Sequence, residues 1–253
     1  MGSSAASRPL LVLQHSACEP PGVYEDELIE RGIELRRVIV GEGERLPDWR
    51  GHAGLLVMGG AMGVGHESAH PWLVEEKRLI ADAVRSGLPY WGVCLGAQLL
   101  AATLGAAVRR AATPEVGVLP VQRTAAGAGD PVFADAPEVF ESLQWHNDTF
   151  ELPTAAVQLA RSDVCEQQAF RLGRAYAVQF HLEVDLALAR RWVEVPDYLA
   201  ELEQHGGPGA GGRLLAQVEA SQASSVPLAR RLFASWLVRV AGFPARPGAA
   251  PEA

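Results

Sequence analysis

Cys94, His181 and Glu183 are the residue types that make a nucleophile, a base and an orienter. Their neighbours say whether they can act as one unit. Cys94 lies in the run Trp91-Gly92-Val93-Cys94-Leu95-Gly96-Ala97-Gln98. Small residues two before and two after a nucleophile mark a tight strand-to-helix elbow, where any larger side chain meets backbone. Such an elbow lifts the cysteine to a helix N-terminus, whose partial positive charge favours an anionic nucleophile. A thiolate needs a base to carry protons, and the base needs a group to hold it. Tyr176-Ala177-Val178-Gln179-Phe180 alternates as a strand does, and His181 falls at its end. In an extended segment, residues i and i+2 point the same way, so Glu183 can hold the His181 ring while the ring faces Cys94. The chemistry this spacing allows is nucleophilic attack by the cysteine, with His181 as its base and Glu183 as the orienter of that base.

The elements around these residues are readable from the same sequence. Leu10 to Leu13 is an apolar run of strand length, and Leu35 to Val40 and Gly54 to Met58 read as the second and third strands. Tyr24 to Arg31 and Pro71 to Ser86 read as helices, stopped by Gly32 and Gly87. Strands alternating with helices imply βαβ crossovers and a parallel sheet. After Gly105 the pattern changes. Val116 to Gln122, Ser142 to Trp145, Ala156 to Ala160, Ala169 to Leu172 and Tyr176 to Phe180 predict short strands with little helix between them, in mixed or antiparallel pairing. Asp185 to Val193 predicts a helix behind His181. Gly206 to Gly212 reads as a flexible break. Leu228, Leu232, Phe233, Trp236, Leu237 and Val240 form a helical stripe, with Pro227 suited to its first turn. That stripe suits a cover for one side of the sheet, or a contact in a homo-oligomer.

At the level of residues the chain resembles the class I (triad) glutamine amidotransferases. Gly92 to Leu100 resembles their nucleophile motif with its following Gln. Gln179-Phe180-His181-Leu182-Glu183 resembles their second motif, with Leu182 where a Pro is usual. Leu55 to Val64 resembles their oxyanion strand and glycine turn, with Ala61 in place of a Pro. Gln144 to Pro153 resembles a segment of stand-alone members. The resemblance runs from about Leu10 to Trp192. It implies a flavodoxin-like or Rossmann-like three-layer α/β sandwich with a mostly parallel central sheet and a nucleophile elbow. It also implies glutamine hydrolysis by Cys94, His181 and Glu183 through a γ-glutamyl thioester, without cofactor or metal. The backbone N–H groups of Gly60 and Leu95 would form the oxyanion hole. Gln98, His146 and Asn147 would bind substrate. Gln98 also suits a helix surface, and His146 beside Trp145 also suits a packed core histidine. The chain is expected to end too soon for a fused acceptor module, so the implied product, ammonia, would pass to a synthase subunit in trans or be released. A γ-glutamyl hydrolase or peptidase, and a non-catalytic regulatory binding protein on the same fold, are the alternatives. Gly59-Gly60 is a natural place for a peptide flip that a partner would reverse, because glycine crosses φ space cheaply.

Bulk properties narrow the class further. The chain has 253 residues, 48% hydrophobic and 21% charged, which suits one domain with a sizeable core. Residues 9–242 are expected to form it, with 193–242 as a C-terminal helical extension. Residues 1–8 and 243–253 read as a flexible leader and tail. The net charge of −8 argues against nucleic acid as the main partner. No stretch is long and apolar enough to span a bilayer, and no signal peptide is evident. Three cysteines give no disulfide framework, as expected of a cytoplasmic protein. Lys77 is the only lysine, and alanine is abundant, which looks like a GC-rich bacterial coding bias. His66-Glu67-Ser68-Ala69-His70 matches a zinc-protease motif by letters, but Gly63, Gly65 and Pro71 leave it no helix. Gly59 to Gly65 lacks the Lys-Ser/Thr of a phosphate loop. Cys18 and Cys165 have no visible catalytic setting.

Overall fold

The computed structural model describes residues 8–245. The expected leader, apart from Arg8, and the tail beyond residue 245 lie outside the described residues. The order of elements is β1 (Leu10–Gln14), α1 (Val23–Glu30), β2 (Leu35–Ile39), β3 (Gly54–Val57), α2 (Trp72–Arg85), β4 (Tyr90–Val93) and α3 (Leu95–Thr103). Then follow β5 (Val108–Arg123), α4 (Ala125–Ala128), β6 (Val139–Phe150), β7 (Val157–Arg161), β8 (Ala169–Leu172) and β9 (Ala175–Val178). Three helices, α5 (Leu186–Val193), α6 (Pro196–Gly206) and α7 (Ala210–Ser235), complete the chain, and α7 runs into a π-helical turn, Trp236–Ala241.

All nine strands join one sheet in the order β2-β1-β3-β4-β9-β8-β7-β5-β6. The five from β2 to β9 pair in parallel. The remaining pairings are antiparallel. The expected α/β sandwich is what forms, with a larger antiparallel wing than the sequence suggests. β5 and β6 make a long hairpin that begins at Val108, where Arg109 to Thr113 show no alternation to announce a strand.

Side chains alternate across the sheet, as a pleated strand requires. In β1, Leu10 and Val12 pack on one face with Tyr24, Trp91, Leu228, Phe233 and Trp236. Leu11 and Leu13 pack on the other with Ile80, Leu95 and Leu99. Helices α1 and α7 thus cover one side, and α2 and α3 the other. Trp91 is the centre of an aromatic cluster, with Tyr24, Tyr176, Phe233 and Trp236 rings 5.8–6.2 Å away. A third cluster joins α5, α6 and α7 to β6 through Leu143, Leu188, Trp192, Leu202 and Leu214. That cluster sets the C-terminal helices beside the C-terminal ends of the parallel strands.

Three sequence expectations need correction at the C-terminus. The break between α6 and α7 is confined to 207–209, and Gly211 and Gly212 lie inside α7. A methyl on Gly211 would come within 2.8 Å of Val193 Cγ1 and 2.9 Å of Leu199 Cδ1, so glycine there allows helices to approach closely. Pro227 is inside α7, not in a first turn. Its missing N–H leaves one helix bond unmade, but both halves of α7 are packed, around Leu214 and Val218 on one side of it and Leu228 and Phe233 on the other. Finally Phe243, placed in the tail by the sequence, is buried in the core and donates its N–H to Leu237 O at 2.9 Å.

Candidate active site

The elbow is built by close packing. Cys94 has φ 49° and ψ −103°, a left-handed backbone in a residue with a side chain. Such strain persists only where the surroundings impose it. Here Cys94 N–H donates to Val178 O at 2.8 Å, Gly96 N–H to Met58 O at 3.2 Å, and Tyr90 Oη to Gly96 O at 2.7 Å. A methyl on Gly92 would sit 2.8 Å from the Gly96 carbonyl carbon, so the turn closes only over glycine. Cys94 ends up between β4 and α3, at the centre of the sheet.

His181 arrives from the neighbouring strand. It follows β9, and its N–H donates to Leu143 O at 2.8 Å, which ties it to β6. Its Nδ1 bonds Glu183 Oε1 at 2.7 Å, and its ring borders the same cavity as Cys94. The Trp192 ring packs edge-on against the imidazole, with centroids 5.1 Å apart. Burial opposes a charge on His181, but the Glu183 carboxylate and the Cys94 sulfur outweigh it, and the imidazole's pKa is held well above its ordinary value. The structure therefore brings Cys94 and His181 to one cavity, with Glu183 bonded to His181.

Leu95 follows Cys94 at the start of α3, and a methyl on Gly60 would stand 2.9 Å from Leu95 Cδ2. Gly60 lines the cavity in front of the sulfur. Neither its N–H nor that of Leu95 has an acceptor among the described residues. Gly59 lies against the reacting groups, where a methyl would stand 3.1 Å from His181 Cε1, 3.2 Å from Glu19 Oε2 and 3.7 Å from Cys94 Cβ.

The cavity has a volume of about 330 Å³, the size of a small-metabolite site. Gln98 and Asn147 line it. Gln98 Nε2 donates to Gln179 Oε1 at 3.1 Å and to Asp148 O at 3.4 Å. Asn147 Nδ2 donates to Glu201 Oε1 at 2.5 Å. His146 also borders the cavity, but its ring is buried, with Nδ1 on Asp148 O at 3.0 Å and Nε2 3.1 Å from Glu115 Oε2.

Several lining or supporting residues are not foreseen from the sequence. Gln179 donates to Cys94 Sγ at 3.5 Å; its place two residues before His181 was the available signal. Glu19, Tyr198 and Glu201 line the cavity from the loop after β1 and from α6. Tyr198 Oη donates to Glu19, and burial pushes the Glu19 carboxyl up despite that bond. Tyr198 and Glu201 are three apart on α6, hence on one face, but α6 carries no motif. Arg110 reaches the rim, 3.8 Å from Asp148 Oδ1.

Among the described residues, Glu115, His146 and Cys165 are the one group of donor side chains close enough to share an ion, their ligand atoms lying within 4.8 Å of one another. Protein hydrogen bonds already occupy the carboxylate: Oε1 accepts from Ser162 Oγ and Oε2 from Gln168 Nε2, each at 2.7 Å. Burial pushes the Cys165 thiol up, away from the thiolate a metal needs. The group reads as a brace for the His146–Asp148 segment. The segment from His66 to His70 is a series of turns, in which His66 Nδ1 accepts from Gly63 N–H and Glu67 pairs with Lys77.

A sheet of this topology, with a cysteine elbow at its centre, defines the class I glutamine amidotransferases. The family model for that class matches residues 26–192, and the chain belongs to the family; it is an enzyme of the cysteine-nucleophile type. It is 32% identical over 178 residues to the glutamine amidotransferase-like protein YfeJ of Salmonella typhimurium, covering 67% of this chain and 73% of that one. It is 30% identical over 187 residues to a subunit of the glutamine-hydrolysing GMP synthase of Thermoplasma volcanium, covering 72% and 81%. A crystal structure of a glutamine amidotransferase from Thermotoga maritima superposes with a TM-score of 0.83 at 30% identity, covering 93% of this chain and 98% of that one. Among the described residues, no helix is long and apolar enough to cross a membrane.

Proposed function

We propose that the protein hydrolyses the side-chain amide of glutamine at Cys94, giving glutamate and ammonia. The observation that carries this is that Cys94 and His181 face one cavity while Glu183 holds the His181 ring from behind. Cys94 Sγ attacks the amide carbon. The oxygen gathers negative charge and is received by the N–H groups of Gly60 and Leu95, which are set before the charge develops. His181, held protonated beside Glu183, gives its proton to the departing nitrogen, and ammonia leaves. The base form of His181 then takes a proton from water, which attacks the γ-glutamyl thioester and releases glutamate. Glu183 fixes the tautomer and offsets the imidazolium charge. Gln98 and the His146–Asn147 backbone border the space for the substrate's α-substituents.

The GMP synthase relative is named as one subunit of its enzyme. On that likeness, the ammonia made here passes to a synthase partner in trans. Residues 9–243 act as one domain, with the helices after residue 193 forming one wall of the cavity through Tyr198 and Glu201.

Glutamate release from glutamine by the purified chain, beside Cys94→Ala, tests the reading. Release that requires Cys94 supports it. Release from γ-glutamyl amides with larger leaving groups, and none from glutamine, would replace it with a γ-glutamyl hydrolase.

A further inference from the structure

The glycine turn is held from behind by a charged pair that the mechanism above does not use. His15 follows β1, and its side chain and that of Glu76 are wholly buried. His15 Nδ1 contacts Gly59 O at 2.7 Å, and Nε2 contacts Glu76 Oε1 at 2.9 Å. The ring stacks on Trp72, with centroids 5.6 Å apart and planes 21° apart. A carbonyl and a carboxylate only accept, so both bonds together require a proton on each ring nitrogen. Burial opposes that charge, but Glu76 outweighs it and raises the His15 pKa, with Glu19 adding a smaller pull in the same direction.

The consequence follows from the planarity of the peptide. The Gly59 carbonyl and the Gly60 N–H belong to one trans peptide and point to opposite sides. The carbonyl points at the buried His15 ring, while Gly60 lines the cavity. Gly60 N–H, which has no acceptor among the described residues, therefore faces the cavity. Two successive glycines resist rotation of this peptide poorly. Rotated, it would present a carbonyl oxygen where the oxyanion must form. A charge-assisted bond is stronger than a neutral one, and here it opposes that rotation.

We infer that His15, charged and fixed by Glu76, is a positioning residue that locks the Gly59–Gly60 peptide so that the oxyanion hole is assembled in the free chain. The lock rests on the glutaminase reading above for its catalytic meaning, but not for its geometry. It also replaces the flip expected from the glycine pair: in this chain the turn carries its own anchor and needs no partner to set it.

Two substitutions in the full chain separate the two ring nitrogens. The amide of His15→Asn can take the place of Nδ1 and still donate to Gly59 O. That of His15→Gln can take the place of Nε2 and keep only the Glu76 contact. His15→Gln is expected to lose about 100-fold in kcat, the loss typical of one oxyanion donor, with KM little changed. Alkylation of Cys94 by iodoacetamide, which uses no oxyanion hole, should keep its rate. His15→Asn should recover most of the loss. Equal activity in both variants, whether high or low, would overturn the lock. A crystal structure of His15→Gln gives a readout that does not depend on activity: a Gly59 carbonyl turned toward Cys94 is expected, and an unmoved one overturns the inference. Absence of Cys94-dependent glutamate release in the wild-type chain would instead remove the glutaminase reading, and the crystal comparison would still decide the lock.

Discussion

Gln98 and Gln179 meet beneath the sulfur of Cys94: Gln98 Nε2 donates to Gln179 Oε1 at 3.1 Å, and Gln179 Nε2 donates to Sγ at 3.5 Å. A residue read from the sequence as a substrate contact thus also orients a donor to the thiol. A hydrogen bond to a charged group contributes about 1.5–3 kcal/mol, so Gln179→Leu should lower kcat about 10- to 100-fold. It should also slow alkylation of Cys94, because a thiolate loses a donor. An unchanged alkylation rate would show that Gln179 supports packing rather than the anion.

Glu183 sets where on the pH scale His181 works. Burial pulls the His181 pKa down, and Glu183 with Cys94 lifts it well above the usual value of 6.5. The protonated imidazole, the form the proposed mechanism needs to protonate the departing nitrogen, therefore persists through neutral pH and is lost only as pH rises past that raised value. Glu183→Gln removes the largest upward influence. The alkaline limb of kcat/KM should then move to lower pH by about one unit or more. A profile of kcat/KM against pH for both proteins measures this, and a limb that stays in place would detach it from His181.

Space at Gly59 is as constraining as charge. A methyl there would stand 3.1 Å from His181 Cε1 and 3.2 Å from Glu19 Oε2. Overpacking a tight site costs about 1–3 kcal/mol, and here the yielding group is the His181 ring. Gly59→Ala should remain folded, melt a few degrees lower, and lose most of its glutamate release. Retention of full activity would mean that the ring has freedom the packing does not show.

Stability should depend on the aromatic cluster rather than on the site. Trp91 is 1% exposed and meets four other rings. Trp91→Ala is expected to cost about 3–5 kcal/mol. Urea unfolding followed by circular dichroism checks it. A cost below about 1 kcal/mol would show that the cluster collapses to fill the space.

What the sequence disclosed was local. Gly92, Cys94 and Gly96 stand within five residues, and His181 and Glu183 within three, so each set can be read without knowing the fold. The parallel strands are equally plain, because Leu10 to Leu13 and Gly54–Val57 are apolar throughout, as strands buried on both faces tend to be. The missed residues act across long separations. His15 reaches Glu76 and Gly59, and Tyr198 reaches Glu19, with no periodicity to link them. The first half of β5 has no sequence signal because its side chains are mostly exposed or half-exposed, and polarity does not alternate where neither face is core. Pro227 misled for the converse reason: a local helix-starting signal was overridden by tertiary packing on both sides of it.

The wall formed by α6 should govern binding more than rate. Glu201 accepts from Asn147 Nδ2 at 2.5 Å and from Trp145 Nε1 at 3.4 Å, and so holds the strand segment beside the cavity. It touches neither Cys94 nor His181. In Glu201→Gln one carboxylate oxygen becomes an amide nitrogen, which faces a donor and cannot accept. One of the two bonds is lost, at a cost of about 1 kcal/mol, and the 145–147 segment loosens. If that segment positions glutamine in the ground state, KM should rise about 5-fold while kcat stays within about 2-fold. A fall in kcat at constant KM would instead place the segment's contribution in the transition state. Steady-state kinetics on glutamine decide between them, and the same comparison on a γ-glutamyl amide with a larger leaving group shows whether α6 faces the amino acid or the leaving group.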